Sequence, residues 1–221
     1  ALHPDNPRYF LYNGKQTVLV GSCEHYGALI NSDFDYVKYL DELARCGLNH
    51  DRVFSGAYRE IEGQSFNIQG SILSPGRDSY LCPWPRTDKP GAIDGGNLFD
   101  LDRWDERYFE RLKGYMQKAL DLGIVVEFVL FCPFYNVYFG PVLWELSPLH
   151  PRNNVNGTEQ AAADGVLALN NPVLQSCLEK MTARLVRELN DYPNLLIQVC
   201  NEPWNDAVPM DWHQRIADLI H

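Results

Sequence analysis

Apolar positions along this chain fall into two alternating patterns. Short apolar runs at residues 17–20, 124–131 and 195–200 read as strands, the last nearly continuous as in a strand covered on both faces, and residues 48–54 read as a further strand that carries Arg52 near its exit. Between them, apolar residues recur at helical spacing. Val37, Leu40 and Ala44 line a helix from about Asp33, with Ser32 as its cap and Gly47 as its stop. Trp104, Tyr108, Leu112, Tyr115 and Ala119 line a helix over residues 102–122, closed by Gly123. Asn171-Pro172 opens a third helix, lined by Cys177, Leu178, Met181, Leu185 and Leu189 and ended by Tyr192-Pro193. A fourth begins near Pro209, with Trp212, Ile216 and Leu219 inward. Ahead of the first strand, residues 9–12, Asn13-Gly14 and the stretch from Gln16 predict a β-hairpin.

Four strand-helix units in strict alternation, with no linker between them, predict one α/β domain over residues 1–221. Its sheet should be parallel, with helices outside. A doubly wound open sheet and a barrel both satisfy the pattern. No Gly-x-Gly-x-x-Gly follows a strand and there is no Walker sequence, which counts against nucleotide folds. The barrel is preferred because the candidate chemistry follows strands one, two and four, all at one face. Residues 55–101 and 132–168 are too long for ordinary strand-helix connections and are expected to wall a site.

Composition narrows the partners. A chain of 221 residues that is 45% apolar and 12% aromatic can bury a large single core. Its net charge of -10 argues against nucleic acid and suits a neutral substrate such as a sugar. No run approaches the ~18 apolar residues of a membrane span, so no membrane partner is expected. No signal peptide is visible, and Ala1 is either a processed end or an arbitrary cut. A secreted or periplasmic setting is favoured over a cytoplasmic one, with no motif that decides it. Six scattered cysteines form no Cys-x-x-Cys pair and read mostly as small buried apolar residues rather than a disulfide framework.

The candidate chemistry lies at strand ends. Strand four stops abruptly in Asn201-Glu202-Pro203, because proline cannot donate to a sheet ladder, and Glu202 is left at the lip where parallel sheets bind ligands. Strand two carries Arg52 near its exit, in Gly47-Leu48-Asn49 followed by Arg52-Val53-Phe54. Strand one opens into a segment holding Glu24 and His25. A catalytic metal could be assembled from His25, His50, His150 and Asp51. However, no His-x-His or His-Glu-x-x-His spacing exists and His50 lies deep in strand two, so no metal and no cofactor are expected.

The strand-two and strand-four motifs, in this order, resemble those of glycoside hydrolase clan A. A longer match runs from Glu24-His25-Tyr26-Gly27 through Trp84, Trp104 and Asn153-Asn154 to Trp204, and resembles the clan's cellulase-like, family 5 branch. The resemblance implies the N-terminal half of a (β/α)8 TIM barrel, with four βα units and long loops after strands two and three. It implies a retaining glycosidase acting on oligo- or polysaccharide, β-linked glycans being favoured. Glu202 would be general acid and then general base, and must begin protonated, which requires burial or a neighbouring negative charge. Asn201 would donate to the sugar hydroxyl beside the reacting carbon, and Arg52 would support the nucleophile. That nucleophile belongs to strand seven and is expected beyond His221. The other half-barrel would come from a longer polypeptide, a second chain or self-association.

Blander alternatives stand beside each role. Asn201 could be a turn-forming amide, and Arg52 half of an ion pair with Asp51 or Glu127; Glu127, mid-strand, is read as structural. His25 and Glu24 could bind sugar or simply satisfy neighbouring backbone. Tyr58, Phe66, Trp84, Tyr135, Tyr138, Trp144 and Trp204 fall outside helical stripes, where flat rings could meet sugar C–H faces. Trp84 and Trp204 are the chosen platforms, and Asn154 completes the substrate-binding set. The competing class is a carbohydrate-binding or scaffold fragment without catalysis.

Overall fold

The computed structural model describes residues 2–22, 27–63, 69–158, 161–203 and 208–221. Strands β1 (Phe10–Tyr12) and β2 (Lys15–Thr17) form the expected hairpin. Asn13 (φ 49°) and Gly14 (φ 71°) are both left-handed, the conformation that a two-residue turn matched to strand twist requires. The first strand of the main sheet begins later than the apolar run suggests. It is β3 (Gly21–Ser22), while Val18 and Val20 are 57% and 52% exposed. The Asn49 side chain holds this stretch, donating to the Val18 carbonyl at 2.9 Å and accepting from the Val20 N–H at 2.8 Å.

The short helix α1 (Gly27–Ile30) leads into α2 (Tyr36–Arg45). Asp35, not Ser32, caps α2, its carboxylate accepting from the Lys38 N–H at 3.0 Å. Its buried residues are Leu40 and Leu43, while Val37, expected on the inner face, is 42% exposed. Strand β4 (His50–Phe54) follows, then the hairpin β5 (Arg86–Pro90) and β6 (Asn97–Phe99), then α3 (Glu106–Asp121). Asp105 caps α3, so that helix also starts later than expected, and Trp104 precedes it, edge-on to Phe109 at 5.9 Å. Gly47 and Gly123, at φ 75° and 72°, end α2 and α3 alike. In each case the next residue's N–H returns to a carbonyl five residues back.

Strand β7 (Val125–Phe131), the short helices α4 (Asn136–Phe139) and α5 (Val142–Glu145), then α6 (Pro172–Leu189), β8 (Leu195–Cys200) and α7 (Met210–Ile220) complete the chain. Asn171 caps α6 through the Leu174 N–H, as its sequence predicts. The main sheet is parallel in the order β3-β4-β7-β8. Its helix side is the core: Tyr108, Leu112, Tyr115 and Met116 of α3 and Leu178, Met181 and Leu185 of α6 are fully buried. Among the described residues nothing pairs with the outer edge of β8, and Leu195 to Val199 are all half-buried.

The two long connections are structured and stitched together. The first contains the β5-β6 hairpin and the second α4, α5 and two turns of 3-10 helix. Asn153 accepts from the Ile93 N–H at 2.8 Å and Asn156 from the Leu101 N–H at 2.7 Å, while the Val155 N–H donates to the Phe99 carbonyl at 3.0 Å. Asn154 is part of this clip. Its amide nitrogen faces the Pro148 and His150 carbonyls and the Thr158 hydroxyl, and its oxygen accepts from the Asn156 N–H. The substrate-binding role expected of Asn154 is therefore corrected to a structural one.

Candidate functional site

Alternation along β4 sends Asp51 toward the helices and Arg52 to the opposite face of the sheet. Asp51 accepts from the hydroxyls of Tyr39 on α2, at 2.8 Å, and Tyr115 on α3. Arg52 reaches across to β8 and beyond its end. Its Nε and Nη2 donate to Gln198 Oε1 at 3.0 and 2.7 Å, and Nη2 also donates to Asn201 Oδ1. On its other side lies Glu127 of β7, at 3.4 Å, which His50 approaches to 3.2 Å. The nearby His50 ring nitrogen holds the Glu127 carboxyl below its usual range, against the effect of burial and with Arg52 adding attraction. Glu127 is structural, as expected. Arg52 is half of an ion pair with Glu127, the alternative its sequence left open, and it also reaches Asn201 at the lip.

Glu202 follows directly after the buried Asn201 and is exposed. Its φ of 39° is left-handed, which side chains beyond Gly rarely adopt, and it precedes a proline, which favours extended backbone. Tyr135, just beyond β7, is likewise left-handed at φ 51°. These two strained residues face one another, the Tyr135 hydroxyl donating to Glu202 Oε2 at 3.1 Å. Asn201 Nδ2 donates to the Tyr135 oxygen at 2.7 Å and approaches Cys132 Sγ at 3.5 Å. Both amide hydrogens are thus engaged, and a sugar hydroxyl would have to displace the weaker acceptor, the sulfur. Burial pushes the Cys132 thiol up to about 12 and raises the Tyr135 hydroxyl well above its usual range, so both are neutral donors at ordinary pH.

The loop aromatics divide sharply. Tyr58, Trp84 and Trp144 are buried in the core, Trp84 with 1% of its surface exposed. Trp84 is therefore corrected from platform to packing; its flanking prolines carry it inward. Tyr135 uses its hydroxyl at the site, while its ring packs edge-on against Tyr58 and Phe139, each at 6.3 Å. Tyr138 is 61% exposed. The expected site residues Glu24, His25 and Trp204, with Phe66, lie outside the described residues. Two other histidines of the metal alternative are engaged separately: His50 pairs with Glu127, and His150 caps a 3-10 turn through the Arg152 N–H. Four cysteines are buried as expected, but Cys46 is exposed at the end of α2.

Gln198 and Tyr135 escaped sequence reading as site residues. Gln198 interrupts an otherwise apolar strand, which was the available signal. Tyr135 looked like any other loop aromatic.

No family model matches the chain, and no curated protein matches it in sequence. Solved structures do match in fold. A candidate glycoside hydrolase from Bacteroides vulgatus ATCC 8482 superposes with a TM-score of 0.60 at 14% identity, over 94% of this chain. The exo-β-1,4-mannosidase Op5Man5 from Opitutaceae bacterium strain TAV5 gives 0.54 at 15% over 96%. The endo-β-1,4-mannanase from Thermotoga petrophila gives 0.55 at 18% over 94%. The chain spans only 33%, 31% and 41% of those three structures' lengths. Among the described residues no helix is long and apolar enough to cross a membrane. A parallel sheet backed by helices, superposing on these enzymes over nearly its whole length, gives this chain part of the fold of the TIM-barrel glycoside hydrolases.

Proposed function

We propose that this chain is the acid/base part of a retaining glycoside hydrolase acting on β-linked glycans, with Glu202 as general acid and then general base. Glu202 gives its proton to the glycosidic oxygen as the C1–O bond breaks, while a second carboxylate attacks C1 from the opposite face, about 5–5.5 Å from the first. Glu202 then takes a proton from the water that displaces that carboxylate. The second carboxylate belongs to a later strand of the complete barrel, outside these 221 residues, contributed by a longer polypeptide or a second chain. That wall would also cover Glu202, which is exposed here, and bring the negative charge that favours its protonated form.

The observation that carries this reading is Glu202 at the exit of β8, in a left-handed backbone, held by Tyr135 beside an Asn201 that Arg52 orients. Ordinary turns do not accumulate that strain at both ends of one hydrogen bond, with a chain of polar groups from Arg52 through Asn201 and Tyr135 leading to the carboxyl. Two of the structural neighbours are named for β-1,4-mannoside hydrolysis, so aryl β-mannosides and manno-oligosaccharides are the first substrates to test. The protein carrying the complete barrel should turn these over. Glu202→Gln should lower that turnover about 100-fold or more, and the isolated 221-residue chain should show none. Full turnover by the monomeric chain would place the second carboxylate within it and overturn the division of the site.

A further inference from the structure

We infer that Tyr135 is the positioning residue of Glu202, and that it fixes Oε1 as the carboxyl oxygen that delivers the proton; this rests on reading Glu202 as the general acid. The direction of each hydrogen bond follows from Arg52. A guanidinium has donors only and stays charged at any working pH, so the Asn201 atom facing it must be the oxygen. That turns the Asn201 amide nitrogen toward Tyr135, where it can only donate, at 2.7 Å. The phenol oxygen thereby accepts, from Asn201 and from the Cys132 thiol at 3.5 Å, and its own hydrogen goes to the stronger acceptor, Glu202 Oε2 at 3.1 Å. An oxygen that accepts this bond presents a lone pair. In the acid form of Glu202 the proton therefore sits on Oε1.

Ring packing makes the arrangement stiff. Tyr135 stands edge-on between Tyr58 and Phe139, and the Tyr58 hydroxyl is itself tied to Glu60 at 2.7 Å. The left-handed backbone at both Tyr135 and Glu202 aims the two side chains at each other, at a conformational cost that a merely packed tyrosine would not need. A carboxyl with one oxygen fixed has lost rotational freedom before substrate arrives, which is how a positioned acid gains rate. Tyr135 touches neither the glycosidic oxygen nor the reacting carbon; it acts through Glu202.

The test uses the complete protein and two aryl glycosides. A 2,4-dinitrophenolate leaves without a proton, whereas an unsubstituted phenolate needs one. Tyr135→Phe should lower kcat/KM for the phenyl glycoside about 10-fold or more and leave the dinitrophenyl glycoside nearly unchanged. Equal losses on both substrates, or no loss on either, would overturn the inference. Tyr58→Phe, which removes a hydroxyl from the same ring stack without touching Glu202, should affect both substrates equally. If Tyr135→Phe does not fold, 3-fluorotyrosine at position 135 keeps the ring and strengthens the donor. An unchanged ratio between the two substrates would then overturn it. Wild-type protein that cleaves neither glycoside would fell the reading of Glu202 itself, and the inference with it.

Discussion

Asp51 and Glu202 are both held by tyrosine hydroxyls, Asp51 by Tyr39 and Tyr115, Glu202 by Tyr135. Asp51 is fully buried on a regular strand, and its two tyrosines project from regular helices. Every group in that cluster sits in comfortable backbone, and the cluster joins β4 to α2 and α3. Glu202 is exposed, its backbone and that of Tyr135 are left-handed, and the network around it joins residues just past β7 and β8 to Arg52 of β4. The same pairing of carboxyl and phenol serves cohesion in one place and alignment in the other. What separates them is the price in backbone strain, which stability alone would not sustain.

The largest effect that would sharpen the contrast is expected at Asp51. Asp51→Ala leaves two buried hydroxyls without their acceptor and opens a cavity, so it should cost about 3–4 kcal/mol in urea unfolding of the chain. A loss under about 1 kcal/mol would mean that the buried cluster is not cohesive, and the comparison would fail on that side.

Glu202 should behave in the opposite sense. Glu202→Gly relieves the left-handed strain at φ 39° and should stabilise the chain by about 0.5–1 kcal/mol, whereas Glu202→Ala keeps the strain and should not. If the two variants have equal midpoints, the strain at Glu202 carries no cost, and its backbone no longer argues for a functional position.

The contrast also explains what could be read from the chain beforehand. Strands 124–131 and 195–200 and the three long helices were legible because their apolar patterns report which side chains want cover. The lip position of Glu202 was legible because Pro203 must end a strand. Arg52 could be placed on a strand exit, yet its reach to Asn201 and Gln198 joins residues 146 to 149 positions apart, which no local pattern encodes. Capping shifted from Ser32 to Asp35 because both are competent caps and only packing chooses between them. Trp84 and Asn154 failed for a shared reason. Long loops were taken to face a cleft, but these two fold back on each other. A tryptophan between prolines then becomes core, and an asparagine becomes the clip.

The smallest expected effect is one of slope rather than offset. Burial raises the Asp51 carboxyl above its ordinary range, with the hydroxyls of Tyr115 and Tyr39 pulling in the other direction. A carboxyl raised in the folded state binds its proton more tightly there than in the unfolded chain, where it titrates near ~3.9. Its contribution to stability is therefore fully present below that value and is lost as pH rises through the folded-state value. This is the reverse of a salt-bridged carboxylate such as Glu127, whose lowered range adds stability that is lost on acidification. Asp51→Asn keeps the shape and removes the titration. The difference in unfolding free energy between wild type and Asp51→Asn should accordingly shift in favour of wild type as pH falls toward 4. The other carboxylates cancel because both proteins share them. A difference that moves the other way would mean that the two hydroxyls outweigh burial. Asp51 would then be a carboxyl held in its charged form, like the ion-paired Glu127, and the buried cluster would lose that distinction.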